Sequence, residues 1–257
     1  MAHVFLLIAD IGGYTRFMKV HRVNLAHAQY IVAQLLETVI DAAGSLELAK
    51  LEGDAAFFYA KLGKAADLRG HVDRVLEIRR AFRAKQQQME IDRVCNCDSC
   101  TQVGKLQLKF IAHHGEVAFQ KVKKHVELAG VDVILVHRLL KNPVPVPEYV
   151  LMSEPIHAAL ATPLLDHARS IDHEVESFGL TRAFYVDLNE VPAPPVPTPA
   201  PSVWGKIRGW FLMTLRSIPY FLGIKKSCVG FRNLDPIGQL PAHVYPEDEH
   251  GPSASAG

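Results

Sequence analysis

The order of apolar patterns in this chain predicts an α/β (α+β) fold: a ferredoxin-like βαββαβ core, extended by further elements, with an apolar helix toward the C-terminal end. Three observations carry this expectation. A continuous apolar run opens the chain, two long helical periodicities frame a hairpin signal, and a cleanly alternating segment follows the second helix.

Residues 3–9 read as a strand buried on both faces, because no polar residue interrupts them after His3. Gly12-Gly13 breaks the run, and Thr15 is placed to cap a helix from about Arg16 to Ala43, with Ile31, Leu35, Val39 and Ala42 at helical spacing. Gly44-Ser45 ends it. Leu46–Leu51 and Ala55–Ala60 read as two strands joined by a tight turn at Glu52-Gly53. A second helix is expected from Lys64 to about Glu90, with Leu68, Val72, Val75, Leu76, Ile78 and Phe82 inward. Leu106–Phe110 alternates as a half-buried strand. His113-His114-Gly115 is expected to turn it into a second short strand, Glu116–Phe119, before a helix from Val131 to Lys141 that Asn142-Pro143 stops. A first domain then covers residues 1–190. Residues 191–202 form a proline-rich linker, 203–224 an apolar helix that Pro219 is expected to end, and 225–257 an irregular tail.

Composition removes several functions. Hydrophobic content of 49% with 21% charged residues is that of a soluble globular protein, and a net charge of +1 gives nucleic acid no field to follow. The run Val4–Ala9 is too short for a signal-peptide core, and no stretch is apolar for long enough to span a bilayer, so a cytoplasmic location is expected. The helix after the linker places Trp204, Ile207, Phe211, Leu215 and Ile218 on one stripe, with basic residues elsewhere. Packing on its own domain or a partner is the favoured reading, and peripheral membrane contact the other.

Two short runs carry the chemistry: Asp10-Ile11-Gly12-Gly13-Tyr14-Thr15 and Lys50-Leu51-Glu52-Gly53-Asp54. Each sets a carboxylate at a strand end beside glycines that allow close backbone approach. Singly, either aspartate is as well explained by turn formation; together they could hold the divalent ions of a nucleoside triphosphate. The pair resembles the metal-binding signature of the class III adenylate and guanylate cyclases, and the resemblance covers about residues 4–188. Within that family the chain is similar to a bacterial cyclase-like branch without an assigned activity (DUF2652-like), which shares the cysteine cluster and a run like His137–Asn142.

The resemblance implies a Mg²⁺ or Mn²⁺ site at Asp10, Ile11 and Asp54, a phosphate-side turn of Gly12, Gly13, Tyr14 and Thr15, and a purine read by Lys50 and Glu127. It also implies a homodimer with the site at its interface, and Arg138 stabilising the transferring phosphate. Two positions depart from the family. Ile134 stands where the family has a transition-state asparagine, and Glu127 is one methylene longer than the usual aspartate. The expected function is therefore purine nucleotide binding with weak or lost cyclisation. The alternative is a non-enzymatic dimeric interaction or sensing module.

Cys95, Cys97 and Cys100 put three soft ligands in six residues, with His113 or His114 (His114 the candidate) as a fourth for Zn²⁺. A reduced thiol loop without metal is the competing reading.

Overall fold

The structure, a computed structural model, describes residues 1–14, 17, 25–63, 65–93, 95–160, 162–192, 200, 203–222 and 224. Thr15, most of the proline-rich linker and the tail from 225 lie outside them.

The elements run β1 (Ala2–Gly12), α1 (Leu25–Ala42), β2 (Glu47–Glu52), β3 (Ala55–Lys61), α2 (Ala65–Ile91), α3 (Asp98–Thr101), β4 (Gln107–Val122), β5 (His125–Ala129), α4 (Val131–Arg138), β6 (Tyr149–Ser153), α5 (Glu154–Ala159), β7 (Arg169–Val175), β8 (Gly179–Asp187) and α6 (Val203–Phe221). The sheet order is β2-β3-β1-β4-β6-β8-β7, with β5 hydrogen-bonded to the far part of β4. The first four strands are the split βαβ arrangement of the ferredoxin-like core. The remaining strands widen the sheet through a parallel β4–β6 pairing.

β1 sits inside the sheet, and its alternation divides the core. Phe5, Leu7, Ala9 and Ile11 face α1 and α2, packing with Leu35, Val39, Val75 and Phe82. Val4, Leu6 and Ile8 face the other way, toward Val136 and Leu139 at α4. Full burial of such side chains is worth about 1.5–3 kcal/mol each, which is why a strand this apolar takes the central position.

Three expectations are corrected. His113-His114-Gly115 is not a turn: β4 is one strand of 16 residues running straight through it. These residues pair with Leu6, Phe5 and Val4 of β1, and a partner strand of matching length holds β4 extended. Gly115 serves a different purpose, since a Cβ there would collide with the Asp132 carboxylate of α4. Pro219 does not end α6 but lies within its last turn. The apolar stripe of α6 is also not packed on its own domain. α6 approaches α1 through Gly205 and Gly209, where a cavity is lined by Tyr30, Ile31 and Gln34, while Trp204, Ile207, Phe211, Leu215 and Ile218 are exposed. Among the described residues no helix is long and apolar enough to cross a membrane.

Candidate functional site

Asp10 follows Leu6 and Ile8 on the α4 face of the sheet, at the point where β1 runs out of apolar residues. Its cross-strand neighbours are Ala55 of β3 and Lys109 of β4, which place side chains on that same face. Asp54 occupies the β2–β3 turn, and its carbonyl accepts from the Ile11 amide at 3.1 Å. Gly53 has φ +70 in that turn and Gly13 has φ +86 after β1, both in the left-handed region that glycine enters without strain.

The two aspartates feel each other. Burial, then the Asp54 charge, pushes the Asp10 carboxyl up to about 6, while the Lys109 ammonium opposes the shift. Burial also raises Asp54, against its own backbone hydrogen bond and Lys109. Tyr14 is drawn into the same field: burial and Asp54 raise its phenol. Two carboxylates that would rather not both ionise, next to one lysine, fit a divalent cation. Ile11 can contribute only its main chain, because its side chain is in the core. Lys109 was not singled out by motif reading. Its aliphatic stem passes Gly12, whose absent Cβ would stand 3.1 Å from Lys109 Cε.

Of the residues expected on the base side, Lys50 lies on this face with its neighbour Glu52, opposite Phe57 and Ala55. Lys50 pairs with Glu52 at 2.6 Å, and that hydrogen bond raises the Lys50 ammonium, with the more distant Glu127 charge acting in the same direction. Glu127 stands on β5 opposite Gln120. His137 of α4 reaches Glu52 at 3.4 Å and sets its ring edge against Phe57, and burial depresses its basicity. Glu52 and His137 thus join Lys50 in a group that spacing alone did not reveal.

α4 carries the two positions expected to bear on turnover. Ile134 is 52% exposed and points no donor anywhere. Arg138 is paired with Glu176, near the β7–β8 turn. Both partners are solvent-exposed to a degree at which such a pair is worth about 0–1 kcal/mol, so a polyphosphate could displace Glu176.

His113 hydrogen-bonds Ser153 at 2.7 Å and Asp132 at 3.1 Å. The order resembles a nucleophile relay, but His113 is 2% and Ser153 3% exposed, closed to any substrate. With the Glu116 amide donating to Asp132 at 2.6 Å, the group clamps α4 onto β4.

The thiol cluster is on the opposite face, and its fourth member corrects the expectation. His27, in the first turn of α1, lies with Cys95, Cys97 and Cys100 so that the four ligand atoms are all within 4.8 Å of one another. His113 is committed to α4. His114 pairs with Phe5, which stacks on His71 near the start of α2. The cysteines follow the other end of that helix, whose last residue, Ile91, lies roughly 30 Å from His71 at 1.5 Å rise per residue. Burial raises the Cys97 and Cys100 thiols and lowers His27.

Known proteins match this architecture. The adenylyl cyclase CyaB from P. aeruginosa superposes with a TM-score of 0.55 at 15% identity, over 76% of this chain and 96% of that one. The guanylyl cyclase Cya2 does so with a TM-score of 0.55 at 16% identity, over 76% and 97%. A guanylate cyclase domain of RhGC from Catenaria anguillulae, in complex with GTP, gives 0.51 at 14%, over 72% and 96%. The fold is that of the class III nucleotidyl cyclases. Residues 32–149 match a family described as a protein of unknown function (DUF2652). The chain belongs to the family of the Mycobacterium tuberculosis protein "Uncharacterized protein Rv2561/Rv2562", to which it is 47% identical over 203 residues, 79% of this chain and 94% of that protein.

Proposed function

We propose that this protein binds a purine nucleoside triphosphate with Mg²⁺ or Mn²⁺ on the α4 face of its sheet, as a homodimer, and cyclises it slowly or not at all. The observation that carries this reading is a pair of half-buried carboxyls at the mouth of a glycine turn, where burial first and the Asp54 charge second raise Asp10 to about 6. The neighbouring cation, Lys109, leaves both carboxyls raised. A divalent ion held by Asp10 and Asp54 would lower both and supply positive charge for a polyphosphate.

The chain's own residues divide the work. Asp10 and Asp54 hold the ion, the Gly12–Tyr14 backbone lies beside the phosphates, and Lys50 with Glu127 reads the base from the same face. Arg138 exchanges its exposed partner Glu176 for the triphosphate of the neighbouring protomer. The dimer surface is supported by Phe119, Val126, Val131 and Ile134, all large apolar side chains left exposed around this face. Ile134 supplies no hydrogen bond where charge shifts during cyclisation, so binding outlasts turnover. A cytoplasmic location is part of this reading, and the exposed α6 stripe is consistent with peripheral membrane contact.

The non-enzymatic dimeric module is the second reading, favoured by the same two features of α4: no donor at Ile134 and an Arg138 already paired. Calorimetry with non-hydrolysable ATP and GTP analogues, with and without Mn²⁺, separates them. Metal-dependent binding supports the first. No binding of either analogue at millimolar concentration removes it and leaves the module.

A further inference from the structure

The geometry assigns a zinc site to His27, Cys95, Cys97 and Cys100, a Cys₃His centre that fastens the first turn of α1 to the segment following α2. His27 Nδ1 lies 3.4 Å from Cys97 Sγ and 3.8 Å from Cys100 Sγ. A tetrahedral zinc with Zn–S of about 2.3 Å and Zn–N of about 2.0–2.1 Å sets its sulfur and nitrogen ligands about 3.6 Å apart, and its sulfurs about 3.8 Å apart. The observed spacings bracket the first figure, and the outer limit of 4.8 Å for all four atoms leaves them surrounding one point.

No other arrangement accounts for the group as well. Three thiols form at most one disulfide and strand the third, and all three are free here. Donor atoms this close enclose a single ion rather than a multi-iron cluster. Three thiolates and an imidazole are a soft set, and closed four-coordinate sites of this type take Zn²⁺.

Packing adds independent support. Cys100 is buried, Cys95 and Cys97 pack against the α1–α2 core, and four protein ligands fill a tetrahedral ion's coordination, so the site is structural in kind. The Cys97 amide donates to Cys95 Sγ at 3.4 Å, a contact that stabilises a thiolate. Between Cys97 and Cys100, the Ser99 hydroxyl is fully buried without a hydrogen-bond partner, the kind of donor that an anionic thiolate centre absorbs.

The cysteines all come from one short loop, and His27 alone comes from α1. The metal therefore does what local sequence cannot: it ties together two segments that are 70 residues apart. Binding free energy at such a site becomes folding free energy. The site is independent of the nucleotide reading, since it lies on the other face of the sheet.

The test uses the full chain, purified without added metal and with any affinity tag removed. Elemental analysis should find close to one zinc per chain, and X-ray absorption at the zinc edge a shell of three sulfurs and one nitrogen. Stripping the metal with a chelator should lower Tm by on the order of 10 °C, the shift for a thousandfold excess of metal over Kd in a chain of this size, and zinc should restore it. His27→Ala should weaken zinc at least a hundredfold in competition with a chromophoric chelator. His27→Cys should retain one zinc in a four-sulfur shell, which guards against a variant that merely misfolds. Metal-free protein whose Tm does not respond to zinc, iron in place of zinc, or a zinc shell unchanged by His27→Cys would each overturn the assignment.

Discussion

The two faces of the sheet present two unlike clusters, one of carboxylates and one of thiols. On the α4 face, Asp10 and Asp54 come from a strand end and a hairpin turn, and burial raises both carboxyls, with the Asp54 charge adding to the shift of Asp10. On the helical face, four soft donors already surround a point. The first arrangement is incomplete in itself: two carboxylates leave most of a hard ion's coordination sphere to phosphate and water. The second is closed. Open sites serve ligands that come and go, and closed ones serve the fold. The molecule thus separates a candidate working site from a candidate structural one by a single layer of strands.

The largest effect that would break this comparison is on metal-dependent nucleotide binding. Asp54→Asn, which removes charge but little volume, should weaken Mn²⁺-dependent binding of an ATP or GTP analogue by 100-fold or more, on the order of 3 kcal/mol for a lost charged contact. The zinc content should not change. Calorimetry and elemental analysis on one preparation check both, and a variant that loses zinc as well would show that the two sites are not separate.

Turnover comes next. Wild-type protein with Mn²⁺ should form cyclic product slowly or not at all. Ile134→Asn, restoring a side-chain donor at an exposed α4 position, should raise the rate by about 10²–10³, the usual worth of one preorganised donor. Rapid wild-type turnover would mean that another group supplies the contact.

The third effect is on stability, and its sign separates a working carboxylate from a structural one. Burial and the Asp54 charge push the Asp10 carboxyl up to about 6 in the folded chain, against 3.8 for an ordinary aspartate. Between those values the folded state holds the extra proton, so this group's contribution falls as pH rises from about 4 to about 6 and stays unfavourable above. At 1.36 kcal/mol per tenfold, the penalty at pH 7.5 is on the order of 2–3 kcal/mol. Asp10→Asn should therefore raise the Tm of metal-free protein at pH 7.5, by about 5 °C, and leave it nearly unchanged at pH 4. A variant less stable than wild type at pH 7.5 would show that the carboxylate holds the fold together instead.

The smallest effect concerns Lys109, whose charge lowers both aspartates. Lys109→Met should tighten binding of Mn²⁺ alone by about fivefold, the equivalent of ~1 kcal/mol of relieved cation repulsion at a partly solvated site. Weaker Mn²⁺ binding would instead make Lys109 a support for the ion.

Periodicity and turn chemistry made much of this protein legible from the sequence. The Val4–Ile8 run demanded a central strand, Glu52 and Gly53 a hairpin, whose turn falls one residue later, and the Leu68–Phe82 spacing a long buried helix, because each is a local consequence of side-chain period or backbone freedom. The motif around Asp10 set the kind of site expected at the end of β1. Other features depended on which elements face each other, and period does not encode that. The register of β1 on β4 put Lys109 opposite Asp10 and drew β4 straight through His113-His114-Gly115. Packing of α1 beside the segment after α2 brought His27 to the cysteines in place of His114. The placement of α6 beside α1, with Gly205 and Gly209 toward a cavity between them, left the α6 stripe facing outward. The sequence by itself determined which chemistries the chain carries and on which elements. Only the tertiary structure decided which residues complete each site, because those partners meet through burial and register over long separations, which no local pattern records.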